Sequence, residues 1–481
     1  MITRSTARAP LPWLLAATLP LADCGGSSTP TAPSASAPDP SLPACRRTVS
    51  VATSAELNAA TGGALAGDCI VLADGSYTFS TINKPGTADA PVVVRALNRG
   101  RAVVPSGNLD VRGANVVIEG LTWTSGGRFT FTDCTGCRVT RCRFQPVETA
   151  DEVDWISVNG RSDSCRIDHN DLGPRRRLGN CVNLAGSGSQ IVQRTRIDHN
   201  HFHDVQRTGT ANGWETIRAG LSGFTFSSSN TVIEHNLFRR CDGDPEILSM
   251  KASDNVVRYN TLRASAGELV LRHGNRSAVY GNIILGDGAQ NTGGIRVCGG
   301  DHKVYNNYVA GISGTAIFLE GGESDDTTGA LTDHKQVYRT QVVSNTIVST
   351  RGIAVGGSHP LDPIDSTVAN NLLQGSGALL TETSTSRNTR YSRNLVNGAV
   401  SVTRPAAEVR AVDPLLSRVG DLFKLVAGSP AVDAGDASFT YVTDDFEGQP
   451  RSTLDVGADE LSSAPVLRGV LTEADVGPDA P

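Results

Sequence analysis

Large aromatic side chains and methionine are scarce in this chain of 481 residues, which has only 12 Phe, 8 Tyr, 4 Trp and 2 Met. Its core must therefore come from Val, Ile, Leu and Ala in many short strands. Sustained helical periodicity is missing, so no helical array competes with that reading. A basic excess is missing too: 43 Lys and Arg stand against 49 Asp and Glu, a net charge of -6. This argues against nucleic acid or an anionic membrane surface as partner, since either needs a net basic face. A local basic groove for an acidic polymer stays compatible with it. No apolar run is long enough for a permanent span; the longest, "LPWLLAATLPLA", falls well short of about 20 residues.

That apolar run follows Arg4 and Arg8 and ends at "LADC", so residues 1–24 read as an export signal with a lipobox-like end at Cys24. Asp23 stands where a small residue is usual, which leaves a lipid anchor at Cys24 and simple secretion both open. The implied location is the periplasm or outer membrane as a lipoprotein, otherwise the exterior. Residues 25–44, rich in Ser, Pro and Ala, read as a flexible linker, 45–461 as the folded domain and 462–481 as a tail. Ten cysteines are present. Cys45 and Cys69 bracket the first globular segment and are candidate disulfide partners outside the cytoplasm. "CTGC" at Cys134 and Cys137 reads as core, because no second pair with zinc-type spacing follows.

What the chain has in abundance is glycine, 51 residues, and a repeat. Short alternating segments end in Asn at Asn170, Asn200, Asn236, Asn260, Asn282, Asn307, Asn345, Asn371 and Asn394, in "CRIDHNDL", "TRIDHNHF", "TVIEHNLF" and their successors. A unit this short cannot bury its own apolar face and must stack on its neighbours. The period predicts an all-β fold, a right-handed parallel β-helix forming a single-stranded solenoid. Asn suits its turns by tolerating the left-handed conformation and by bonding from coil to coil. Thr53 and Glu56 form a capping-box pattern, which predicts a short N-terminal helix covering the open end.

The longer insertions carry the chemistry. "TANGWETIRAG" holds Asn212, Trp214, Glu215 and Arg218; "DGDPEILSMK" holds Asp244, Glu246 and Lys251; "ELVLRHGN" holds Arg272 and His273. Lys251 and Arg272 are spaced by about one coil, which predicts neighbouring rungs on one face. Asp244 and Glu246 alternate, so both carboxylates point to one side of a strand. With the amide oxygen of Asn212 they form an all-oxygen set, which suits Ca²⁺ better than zinc. In "GPRRRLGN", Arg175, Arg176 and Arg177 read either as a clamp for sugar carboxylates or as a solvated loop. Glu215 and Arg218 are candidate substrate contacts, Arg296 and Glu320 are weaker candidates for the cleft wall, and Trp214 is either a stacking platform for a sugar or a core anchor.

"NGWETIRAG", "PEILSMKAS", "LRHGN" and "GIRVCGGDHKVYNN", in this order, resemble the motifs of polysaccharide lyase family 6, which contains alginate lyases and dermatan-cleaving chondroitin B lyases. The resemblance extends from Cys45 to Leu461. It implies β-elimination on a uronate polymer, with Lys251 as base, Arg272 as acid, and Ca²⁺ on Asn212, Asp244 and Glu246. The family carries Glu where Asp244 stands, so the metal site is where this chain departs from the pattern. The implied chemistry is intelligible on its own terms: removing a uronate C5 proton builds charge on the adjacent carboxylate, where a cation stabilises it. A guanidinium does not give up its proton readily, so Arg272 is read as steadying the departing O4 or relaying a proton from water. His273 is read as a second donor or as an orienting partner. Alginate is the expected substrate, dermatan sulfate the alternative, and a non-catalytic carbohydrate-binding β-helix the reading from another class. A hydrolase would want paired carboxylates and no dedicated lysine.

Overall fold

A computed structural model describes residues 39–147, 152–383, 385–401 and 403–481. The leader, Cys24 and most of the linker lie outside the described residues. Strands rarely exceed seven residues, and they stack in parallel into one sheet of 14 strands and another of 24. The second sheet holds two ladders side by side, so each full coil contributes one strand to the first sheet and two to the second. The chain is a right-handed parallel β-helix. Its interior is a continuous column of Val, Ile, Leu and Phe from Val51 to Val409, as expected from a sequence poor in large aromatics.

The nine repeat asparagines line up as one buried ladder. The side-chain amide of each donates to the Oδ1 of the next at 2.9–3.0 Å. The same oxygen accepts the backbone N–H of the preceding Asn, as Asn260 Oδ1 does from Asn236 at 3.0 Å. A buried amide thus has its acceptor and one donor met by its copies, while its other N–H goes to a main-chain carbonyl, as from Asn260 to Ile233 O at 2.9 Å. One part of the sequence expectation changes. The left-handed residue is the one before the repeat Asn, among them His169, His199, His235, Tyr259 and Gly281. The Asn itself contributes the coil-to-coil bonds.

At the N-terminal end, α1 (Ser54–Gly62) is capped as its sequence predicts. Thr53 Oγ1 accepts from Glu56 N at 3.2 Å, and Glu56 Oε2 accepts from Ala52 N at 2.7 Å. Leu57 is buried beneath it, covering the first coil. Cys45 and Cys69 form a disulfide. Cys134, Cys137, Cys142, Cys165 and Cys241 are buried in the apolar column. Among the described residues no helix is long and apolar enough to cross a membrane.

The segment after Leu461 runs back along the outside of the solenoid. Arg141 donates to the carbonyls of Pro478 and Ala480 at 2.9 and 2.7 Å, Arg143 pairs with Asp479 at 2.6 Å, and Gly477 N donates to His199 O at 2.8 Å. Arg468 stacks over the Tyr259 ring at 4.1 Å. These are polar and cation–π contacts, which is why a segment without apolar periodicity still docks.

Candidate active site

Five successive parallel strands build the site: β1 (Ile217–Ala219), β2 (Glu246–Lys251), β3 (Gly267–His273), β4 (Thr292–Val297) and β5 (Ile317–Leu319). One register row crosses them through Arg218, Ser249, Val270, Arg296 and Phe318. Leu248, Met250, Leu269 and Leu271 point the other way, into the core. Period-two alternation against these core residues sets Ser249 and Lys251 on one side of β2, and Glu268 and Arg272 on one side of β3.

The pairing of β2 with β3 slips twice. Glu246 pairs with Glu268 and Leu248 with Leu269; Met250 pairs with Leu271, but Lys251 pairs with His273. Arg272 is the extra residue of that second bulge, a device that re-aims a side chain. The expected rung-to-rung neighbourhood of Lys251 and Arg272 holds, but through a bulge instead of simple register. Gly274 closes the turn at φ +88°, where a Cβ would come within 2.4 Å of the Ala252 carbonyl, so no side chain fits there.

Lys251 Nζ donates to Glu215 Oε1 at 3.0 Å, with the lysine half-buried and the glutamate buried. Arg272 lies 3.6 Å from Glu246 Oε1 through Nε, and its Nη1 is 3.4 Å from His273 Nε2. Ser222 Oγ meets the same ring nitrogen at 3.1 Å. Burial, then the charges of Arg272 and Lys251, push the His273 pKa down to about 3, so the ring is neutral at ordinary pH. Its Nδ1 is buried without a hydrogen-bond partner.

The expected oxygen cluster is only partly assembled. Glu246 Oε1 accepts from Arg296 Nη2 at 2.6 Å, so this carboxylate is already engaged by guanidinium. Asn212 is exposed in its loop. Asp244 is buried, its Oδ1 accepting from Glu246 N at 3.0 Å; its Oδ2 and the Oε2 of Glu215 are buried without hydrogen bonds, and Arg207 Nη1 lies 4.0 Å from Asp244 Oδ2. Burial, then the charges of Glu215 and Glu246, hold the Asp244 carboxyl above its ordinary range despite a backbone hydrogen bond. Two orphaned carboxylate oxygens under mutual repulsion fit a hard, oxygen-liking cation.

Other expected residues fall elsewhere. Arg175, read as a clamp for sugar carboxylates or as part of a solvated loop, is buried: its guanidinium lies 4.8 Å over the Trp155 ring and donates to Leu178 O at 2.9 Å and Arg177 O at 3.1 Å. It folds its own loop, because an arginine fork can satisfy several carbonyls of a tight insertion at once. Arg176 and Arg177 stay exposed. Trp214 is buried and is no open platform. Arg218 lies in the row, donating to Asn183 Oδ1 at 3.2 Å. Arg296 is central: besides Glu246 it reaches Glu268 and Glu320, each at 3.4 Å. Glu268 and Ser222 went unnoticed in the sequence; Glu268 carries a signal, since it stands one coil after Glu246.

The row lies along one face of a parallel β-helix, a class of solenoid that presents an extended surface to its ligand instead of an enclosed pocket. Residues 51–391 match the family model described as chondroitinase B, and the chain belongs to that family, polysaccharide lyase family 6. Among solved structures it resembles a mannuronic acid specific family 6 lyase from human gut microbiota, at 25% identity and TM-score 0.67, covering 75% of this chain and 89% of that one. A variant of the family 6 alginate lyase AlyGC gives 25% identity and TM-score 0.70 over 87% of this chain; the match spans 59% of AlyGC's length. The family 6 lyase Pedsa3628 from Pseudopedobacter saltans shares the fold at 22% identity and TM-score 0.60, over 77% and 97% of the two chains. No curated protein sequence matches the chain.

Proposed function

We propose that the protein is an exported polysaccharide lyase that cleaves alginate by β-elimination. One observation carries the reading: Lys251 and Arg272 stand on neighbouring rungs with buried His273 beside them, near carboxylate oxygens of Glu215 and Asp244 that are buried without hydrogen bonds. Lys251 Nζ takes the C5 proton of a uronate, the C4–C5 double bond forms and the C4–O4 bond breaks. Arg272 steadies the departing O4, which takes its proton from water. Neutral His273 orients Arg272 through Nε2 and has no proton to donate from that atom. Glu215 Oε1 fixes Nζ on the cleft floor, and Arg218 and Arg296 supply positive charge along the row for neighbouring carboxylates.

Ca²⁺ is the proposed cofactor, with Asp244, Glu246 and Asn212 as ligands and the free Oε2 of Glu215 beside them. When bound it supplies positive charge at the substrate carboxylate as the C5 proton leaves. Names of similar structures favour alginate. The family's namesake keeps dermatan sulfate as the second substrate.

The test is to incubate the enzyme with poly-mannuronate, poly-guluronate and dermatan sulfate while following the absorbance of unsaturated product. Product from either alginate block supports the proposal, and product from dermatan sulfate alone moves it to the second substrate. Tight binding with no product from any polymer would sink the lyase reading in favour of a non-catalytic carbohydrate-binding surface. Chelation is expected to suppress turnover reversibly, and full activity in metal-free enzyme would remove Asp244 and Glu246 from the metal role.

A further inference from the structure

Beyond Arg296 the groove wall holds a second group of side chains whose chemistry differs from the oxygen-rich cleft. Cys298 follows β4, Glu320 follows β5, and His334 and His359 come from two inserted loops, residues 321–340 and 356–366. Cys298 Sγ lies 3.0 Å from Glu320 Oε2 and 3.8 Å from His334 Nδ1. His334 Nδ1 lies 3.2 Å from Glu320 Oε2, and His359 Nε2 lies 3.1 Å from His334 Nδ1 and 3.4 Å from Glu320 Oε1. Cys298, Glu320 and His334 bring three ligand atoms within 4.8 Å of one another, and His359 Nε2 stands against His334 and Glu320.

Hydrogen bonding alone accounts poorly for this arrangement. His334 Nδ1 has three neighbours within 3.8 Å, yet a ring nitrogen offers one proton or one lone pair in the ring plane. The two imidazole nitrogens lie 3.1 Å apart, each against a different oxygen of Glu320. A shared cation resolves the crowding at His334 Nδ1, because the surrounding atoms then act as ligands. Zinc holds sulfur at about 2.3 Å and nitrogen or oxygen at about 2.0–2.2 Å; a tetrahedron of those radii has edges of roughly 3.3–3.8 Å. The separations among Cys298, Glu320 and His334 run from 3.0 to 3.8 Å.

We propose that Cys298, Glu320, His334 and His359 form a binding site for a divalent first-row transition ion of the zinc type, separate from the oxygen-lined cleft. Thiolate with two imidazoles selects such an ion over Ca²⁺. On binding, the Cys298 thiol gives its proton to solvent and an S–metal bond replaces the S–H. The ion pins both inserted loops to the rungs that carry Arg296. Glu320, within 3.4 Å of Arg296 Nη1, links the metal to the guanidinium that also holds Glu246. The site would thereby set the wall of the groove without touching the reacting sugar.

The experiment uses the full-length chain, stripped with chelator and then given Co²⁺ in the presence of excess Ca²⁺ to fill any oxygen site. One Co²⁺ per chain is expected, with a thiolate-to-cobalt charge-transfer band in the near ultraviolet and the visible bands of tetrahedral cobalt. Cys298→Ser should lose the charge-transfer band. His334→Ala and His359→Ala should each weaken Zn²⁺ at least about tenfold in competition with a chromophoric chelator. His359 belongs to an outer loop, so His359→Ala keeps the test available if Cys298→Ser does not fold. Wild-type protein without a thiolate band, or His334→Ala and His359→Ala binding as tightly as wild type, would overturn the proposal. The readout is metal binding, so it stands or falls independently of lyase activity.

Discussion

The asparagine ladder and the groove are both rows of polar side chains stacked along the same solenoid, yet their hydrogen bonding is opposite. In the ladder each buried amide is met by the coil above and the coil below. In the site Asp244 Oδ2, Glu215 Oε2 and His273 Nδ1 are buried without a hydrogen bond. A satisfied polar row rigidifies a fold; an unsatisfied one is a cost that a ligand can relieve. The contrast separates residues that hold the protein together from residues that act, although both kinds recur at nearly the same spacing.

The contrast can be broken at several points. Lys251→Ala has the largest expected effect: turnover falls by about 10²–10⁴-fold, the usual share of general acid–base catalysis, while the thermal midpoint stays close to wild type. A comparable loss of stability would make Lys251 a structural residue. Asn260→Leu, in the ladder, does the reverse. It strands the Asn236 backbone N–H and side-chain amide, and denaturant unfolding should show a loss of about 3 kcal/mol. Asp244→Asn removes charge from a repulsive carboxylate group, so stability should hold or rise slightly while Ca²⁺ affinity drops; calorimetric titration and a melting curve read the two together.

The smallest effect concerns pH. His273 is neutral when folded down to about pH 3, whereas unfolded it takes up a proton near pH 6.5. Between those values the unfolded chain binds more protons, so stability falls as pH drops from about 6.5 toward 3 and is level above it. His235 and His302, each pushed down to about 4 by burial, contribute in the same sense. His273→Gln should flatten the acid limb of the stability curve relative to wild type, and an unchanged slope would count against a buried neutral ring.

The solenoid, its capped N-terminal end and the Cys45–Cys69 bridge were legible because they depend on periodicity and local spacing. Lys251 and Arg272 were legible as neighbours for the same reason: one coil separates them. Arg175 was misjudged, since nothing local distinguishes an arginine that binds carbonyls of its own loop from one that faces solvent. Glu215 was read as a substrate contact, and its partner Lys251 lies 36 residues away across a rung. The docking of residues 462–481 depends on carbonyl contacts and an aromatic face more than 300 residues earlier in places, as between Arg141 and Ala480.

Sequence alone determined the repeat, the chemistry on each coil and the order of the motifs, because strand alternation and coil length are properties of neighbouring residues. Only the tertiary structure decided which atoms meet. The bulge at Arg272 sets its aim, Arg296 occupies the Glu246 carboxylate, and two loops bring His334 and His359 onto Cys298 and Glu320. Those meetings depend on register slips and loop paths, whose energies are settled by packing between coils and leave no periodic trace in the chain.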